Sequence, residues 1–122
     1  MGKRLLLFII LTATIHSASF FAIAGLDEGD AALESGDYAK AFKEFEYLAD
    51  HGNASAQYSL GLMYARGDGV PKDYFLAYMW FDLAAAQGNN RARKYRNTCA
   101  TQLTLSQIAE AERMAREWKS SK

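Results

Sequence analysis

Sliding the chain against itself by 36 residues aligns Asp37-Tyr38 with Asp73-Tyr74, Ala41 with Ala77, Phe45 with Phe81, Ala49 with Ala85, Gly52-Asn53 with Gly88-Asn89 and Ala56 with Ala92. Eight identities in twenty positions, where chance supplies about one or two, mark an internal duplication with a period in the solenoid range. A unit of that length cannot bury its apolar face alone, so copies must stack on one another.

The pattern inside each copy is helical. Asp37 and Asp73 precede apolar positions at helical spacing: Ala41, Phe45, Leu48 and Ala49 in one copy, Ala77, Trp80, Phe81, Ala84 and Ala85 in the other. A carboxylate there can accept from an unpaired first-turn amide and favours the helix dipole. Gly52 and Gly88 end these helices, because glycine takes the left-handed cap conformation without steric cost. A further helix over 55–66 turns Leu60, Met63 and Tyr64 to one face, with Ala56 and Gly61 small enough for a neighbour to approach closely. Residues 67–72, Gly-Asp-Gly-Val-Pro-Lys, connect it to the next helix. No segment alternates with period two, so the chain is predicted to be all-α, a right-handed solenoid of antiparallel helix pairs without a sheet.

The C-terminal third predicts a cap. Ala92, Tyr95, Cys99 and Leu103 continue a helical stripe, Thr104-Leu105-Ser106-Gln107 starts a capping box, and Ile108, Ala111, Ala115 and Trp118 form the inner face of a last helix. Its outer residues are polar, as a terminal unit requires.

At the other end, Lys3 and Arg4 precede the apolar run 5–15, and Ala22-Ile23-Ala24 supplies the small-x-small pattern read by signal peptidase. We expect a cleaved signal peptide over 1–24, cut between Ala24 and Gly25, and a periplasmic or secreted product. A retained membrane anchor is the alternative, since 5–24 are about long enough to span a bilayer, although Thr12, Thr14, His16, Ser17 and Ser19 interrupt them. After cleavage no segment would insert in a membrane. The expected divisions are then a repeat over 25–53, a repeat over 54–89 and a cap over 90–122.

Composition narrows the function. Fourteen Lys plus Arg balance fourteen Asp plus Glu, which removes the strongly basic surface of a nucleic-acid binder. The charges are uneven: residues 25–90 hold 4 bases and 11 acids, residues 91–122 hold 8 bases and 3 acids. Cys99 is the single cysteine and His16 and His51 the only histidines, so no disulfide framework, metal site or cofactor is expected. Gly67-Asp68-Gly69 lacks the lysine and hydroxyl of a phosphate loop and reads as an inter-helix turn. No nucleophile–base pattern stands out, and catalysis is not expected.

Residues 56–73, Ala-Gln-Tyr-Ser-Leu-Gly-Leu-Met-Tyr-Ala-Arg-Gly-Asp-Gly-Val-Pro-Lys-Asp, followed by Ala77, Trp80, Phe81, Ala84-Ala85 and Gly88, resemble a full Sel1-like repeat, a relative of the tetratricopeptide repeat. Leu60, Gly61, Tyr64, Gly67, Gly69, Asp73, Ala77, Trp80, Ala84 and Gly88 carry the motif in register. Gly29, Ala32, Gly36-Asp37-Tyr38, Ala41 and Phe45 resemble the tetratricopeptide version with a shorter loop. After Asn90 the resemblance fades, with Arg96 and Asn97 where another leucine–glycine pair would stand.

The resemblance implies a concave groove that binds a protein or peptide partner. Carried over by position, its lining would be Ser55, Tyr58, Leu62 and Arg66, flanked by Asp30 and Leu33 on one side and Arg91 and Lys94 on the other. It implies an adaptor or regulator in the bacterial envelope. The alternatives are a membrane-tethered subunit of an envelope assembly and a hydrolase of cell-wall-like or β-lactam substrates, as associated with cysteine-rich relatives whose disulfide-paired repeats are missing here. Homodimerisation would enlarge a core that is small for a solenoid.

Overall fold

A computed structural model describes residues 21–122; the apolar run assigned to the signal lies outside the described residues. Among the described residues six helices follow one another: α1 over 21–35, α2 over Tyr38–Asp50, α3 over Ala54–Arg66, α4 over Tyr74–Ala86, α5 over Asn90–Ala100 and α6 over Leu105–Ser120. Among the described residues there is no strand. The chain is an all-α solenoid of helical repeats.

Helices α2 to α6 each start where a side chain takes a first-turn amide. Asp37 accepts from Lys40 N at 3.2 Å and Asp73 from Leu76 N at 3.0 Å, as expected. Asn53 and Asn89 do the same for Ala56 N and Ala92 N, both at 2.9 Å, so α3 begins one residue earlier than periodicity implies. Thr104 and Gln107 complete the capping box of α6. The two copies also end alike. The amides of Gly52 and Asn53 donate back to Ala49 and Leu48, and those of Gly88 and Asn89 to Ala85 and Ala84, the paired bonds of a Schellman cap. One duplicated turn, glycine then asparagine, closes a helix and opens the next.

The glycines inside the helices set the hairpin register. A Cβ on Gly61 would stand 2.6 Å from Phe81 Cε1, and one on Gly29 would stand 2.5 Å from Phe45 Cε1. Each hairpin therefore seats an aromatic ring of its second helix directly on the backbone of its first. In the connection of α3 to α4, Gly69 has φ +74°, and its missing Cβ leaves room for Tyr38 Cβ, 2.7 Å away. A side chain there would meet both a strained backbone and a clash.

Helix α4 is the centre of the molecule, with α3, α5 and α6 packed around it. Ala77, Trp80, Phe81, Ala84 and Ala85 are buried as expected, and so are Tyr78, Met79 and Leu83. That second face is closed largely by α6, where Trp118 meets Trp80 edge-on at 6.0 Å and Glu112 accepts from the Tyr78 hydroxyl at 2.9 Å. On α5, Arg96 reaches Asp82 at 2.8 Å, which explains why no leucine occurs there: the position tethers α5 to α4 instead of filling a core. Cys99 is buried, and burial pushes its thiol up, the behaviour of a small hydrophobe.

Candidate protein-binding groove

The first helices of successive hairpins, α3 and α5, lie side by side. Across that seam the Tyr58 ring sits 5.9 Å from Tyr95 and 6.0 Å from Phe81, and Tyr95 stacks on Phe81 at 5.8 Å. Phe81 is wholly buried, Tyr58 half-buried and Tyr95 37% exposed. The three rings thus form a graded plug whose floor is core and whose rim is solvent. Burial pushes the Tyr58 hydroxyl above its usual range, with Tyr95 adding to the rise, while Arg91 and Arg66 pull it back. Cations from two different helices therefore act on one phenol.

The expected groove residues separate into two kinds. Ser55, Arg66, Asp30, Arg91 and Lys94 are exposed. Tyr58, Leu62 and Leu33 are half-buried and pack against the core, so each has both a structural and a surface face. The glycine–phenylalanine contacts place Gly29 in α1 where Gly61 stands in α3. By that register Asp30 corresponds to Leu62 and Glu34 to Arg66, while the shared asparagine caps make Arg91 correspond to Ser55 and Lys94 to Tyr58. Asp30 and Glu34 thus match Thr98 and Gln102 at the C-terminal side, and Arg91 and Lys94 match Ile23 and Leu26, so the acids of α1 and the bases of α5 stand at different positions of the repeat.

Tyr95 is the residue that sequence periodicity misplaces. It shares the stripe of Ala92 and Cys99, both buried, but it stays 37% exposed while its ring packs on Phe81 and Tyr58. Its position among Arg91, Lys94 and Arg96 was the signal for a boundary instead of a core site. Gln57 is the converse: wholly buried, it donates to Ala49 O at 3.3 Å and accepts from Gln87 at 2.9 Å, tying the starts and ends of three helices. It borders a concavity of about 510 Å³, with Leu83, Gln87 and Trp118, that shares no residue with the expected groove.

The motif residues of the full unit fall into place around this seam. Leu60 and Gly61 are buried against α4, Tyr64 meets Phe42 edge-on at 5.7 Å, and Gly67 caps α3 with its amide on Met63 O at 2.8 Å. Residues 54–89 match the model of the Sel1 repeat. The chain carries a Sel1 repeat.

Relatives agree. An exopolysaccharide production negative regulator of Rhizobium leguminosarum bv. viciae is 35% identical over 60 residues, 49% of this chain and 22% of the regulator. An ERAD-associated E3 ubiquitin-protein ligase component of Arabidopsis thaliana is 36% identical over 72 residues, 57% of this chain and 11% of that protein. Among solved structures, a protective antigen of uropathogenic Escherichia coli displaying an SLR fold superposes with a TM-score of 0.75 at 30% identity, covering 80% of this chain and 22% of the antigen. The match takes in less than a quarter of each relative's length. The Sel1 repeat and its fold are those of a protein–protein interaction module, typically a scaffold and not an enzyme. Among the described residues no helix is long and apolar enough to cross a membrane.

Proposed function

We propose that this Sel1-repeat chain is an exported adaptor or regulator of the bacterial envelope that captures a protein or peptide partner along α1, α3 and α5, without catalysis. The observation that carries the reading is the Tyr58–Tyr95 pair, aromatic surface left open between two first helices and bordered by Arg66 and Arg91. Aromatic side chains with little rotamer freedom are the residues that anchor partners at least entropic cost. Ser55, Leu62 and Lys94 complete the central lining, with Asp30 and Leu33 on α1. Export is supported by the N-terminal pattern that ends at Ala24–Gly25. A cut there would leave residues 25–35 of α1, about three turns.

Crosslinked capture from the envelope of the native host tests the reading. Native protein is compared with Arg91→Glu/Lys94→Glu, whose side chains are exposed and leave the core untouched. A defined partner recovered by the native chain and lost by the variant, at equal helical content, supports the groove; equal recovery refutes it. Intact mass of the envelope protein decides export: a species starting at Gly25 fits the adaptor, and one retaining residues 1–24 fits a membrane-tethered subunit.

A further inference from the structure

Folding does not reward the charges on α5. Arg91, Arg93, Lys94 and Arg96 all lie on one eleven-residue helix that holds no acid, and its first turn contains none either. Cations near a helix N-terminus oppose the dipole and repel one another. Of the four, Arg96 is compensated by Asp82, and outside α5 Arg113 is held by Glu110 and Glu117. Arg66, Arg91 and Lys94 make no ion pair among the described residues. Arg66 and Arg91 act on the Tyr58 phenol, and Lys94 directly precedes Tyr95 on α5; the two rings offer apolar area and their hydroxyls offer donors. On α1 the described residues carry the reverse, with Asp27, Glu28, Asp30 and Glu34 and no base.

Resting on the groove reading above, we propose that the partner presents an acidic segment containing an aromatic or aliphatic side chain, seated on Tyr58 and Tyr95, with its carboxylates on Arg66, Arg91 and Lys94. The acids of α1 set the limit of the footprint, since a uniformly acidic segment extending that far meets like charge. The segment's acidic residues therefore concentrate over α5. Charge of this arrangement mainly raises the encounter rate and selects the partner, and the aromatic pair supplies the contact area.

The test uses the purified full chain and fluorescein-labelled peptides by anisotropy. The probe is Glu-Asp-Phe-Glu-Asp, and its comparison is the amide isostere Gln-Asn-Phe-Gln-Asn. We expect the acidic probe to bind about tenfold more tightly than the isostere and to weaken as salt rises from about 50 to about 300 mM. Arg91→Glu/Lys94→Glu should lose about tenfold or more, while Arg116→Glu/Lys119→Glu, an equal change in net charge on α6, should lose less than about twofold.

Equal loss in both charge variants, or no binding of either probe up to about 1 mM, a loose ceiling for specific recognition, overturns the acidic-segment inference. If the isostere binds as tightly as the acid and Tyr95→Ala removes both, the acidic class falls and the groove reading stands. Binding that survives both Tyr95→Ala and Arg91→Glu/Lys94→Glu sinks the groove reading as well. Sedimentation supplies the last arm: self-association at low salt that Arg91→Glu/Lys94→Glu abolishes would give the acidic role to α1 of a second copy and overturn the proposal for a separate partner.

Discussion

Two residues with no side chain decide how closely the hairpins can pair. Gly61 lies under the Phe81 ring, which is wholly buried and has nowhere to retreat. Gly61→Ala should therefore cost about 2 kcal/mol through overpacking, although alanine is the better helix former by about 1 kcal/mol. Urea unfolding measures the difference, and a neutral or stabilised variant would mean that α3 and α4 can separate freely. Tyr78 supplies a pH test. Burial first, then its bond to Glu112, pushes the phenol up to about 12 from an ordinary value of 10.0. The folded state thus holds the proton more tightly than the unfolded chain, so this contribution is complete below pH 10 and is lost as pH rises to about 12. Tyr78→Phe should flatten that part of the alkaline stability profile, read from melts between those limits. At this scale the local chemistry was legible: Asp37, Asp73 and Thr104 cap because a cap needs only its own first turn. Tyr95 and Gln57 were not, because their burial depends on which neighbour arrives from a distant part of the chain.

Among the elements, α4 is held by residues of different character on its different sides. Toward α3 the contact is glycine on phenylalanine; toward α5 it includes an ion pair; toward α6 it includes two tryptophans and a tyrosine–glutamate hydrogen bond. The Arg96–Asp82 side chains are each about one-quarter exposed, so a double-mutant cycle should return a coupling of about 1 kcal/mol. A coupling near zero would mean that α5 is held by its apolar contacts, among them buried Ala92 and Cys99 and the Tyr95–Phe81 stack. The helix order and the inward face of α4 toward α3 followed from the repeat, since both copies share that face. Its second face did not follow. Tyr78, Met79 and Leu83 are buried, whereas at the matching positions of the first copy Phe42 is only partly buried, Lys43 is charged and Tyr47 is exposed, and α6 meets this face at Tyr78 and near Leu83.

For the molecule as a whole, a solenoid of neighbour contacts distributes stability unevenly. Helix α4 packs against three others, and the α1–α2 pair lies to one side of it, joined through Gly29 on Phe45. There Ile23 and Tyr47 are large apolar residues, 60% and 63% exposed. When units are coupled only to their neighbours, an end can open without the centre. Native-state hydrogen exchange should therefore grade along the chain: α4 amides exchanging only through global unfolding, α1 amides through local opening about 2 kcal/mol or more below it. Uniform protection across all helices would show that the hairpins act as one cooperative unit. The gradient bears on the proposed groove, because its basic side on α5 belongs to the well-held part and its acidic side on α1 to the part that opens. A partner that touched only α3 and α5 would leave α1 exchange unchanged on binding, whereas one that reached Asp30 would slow it.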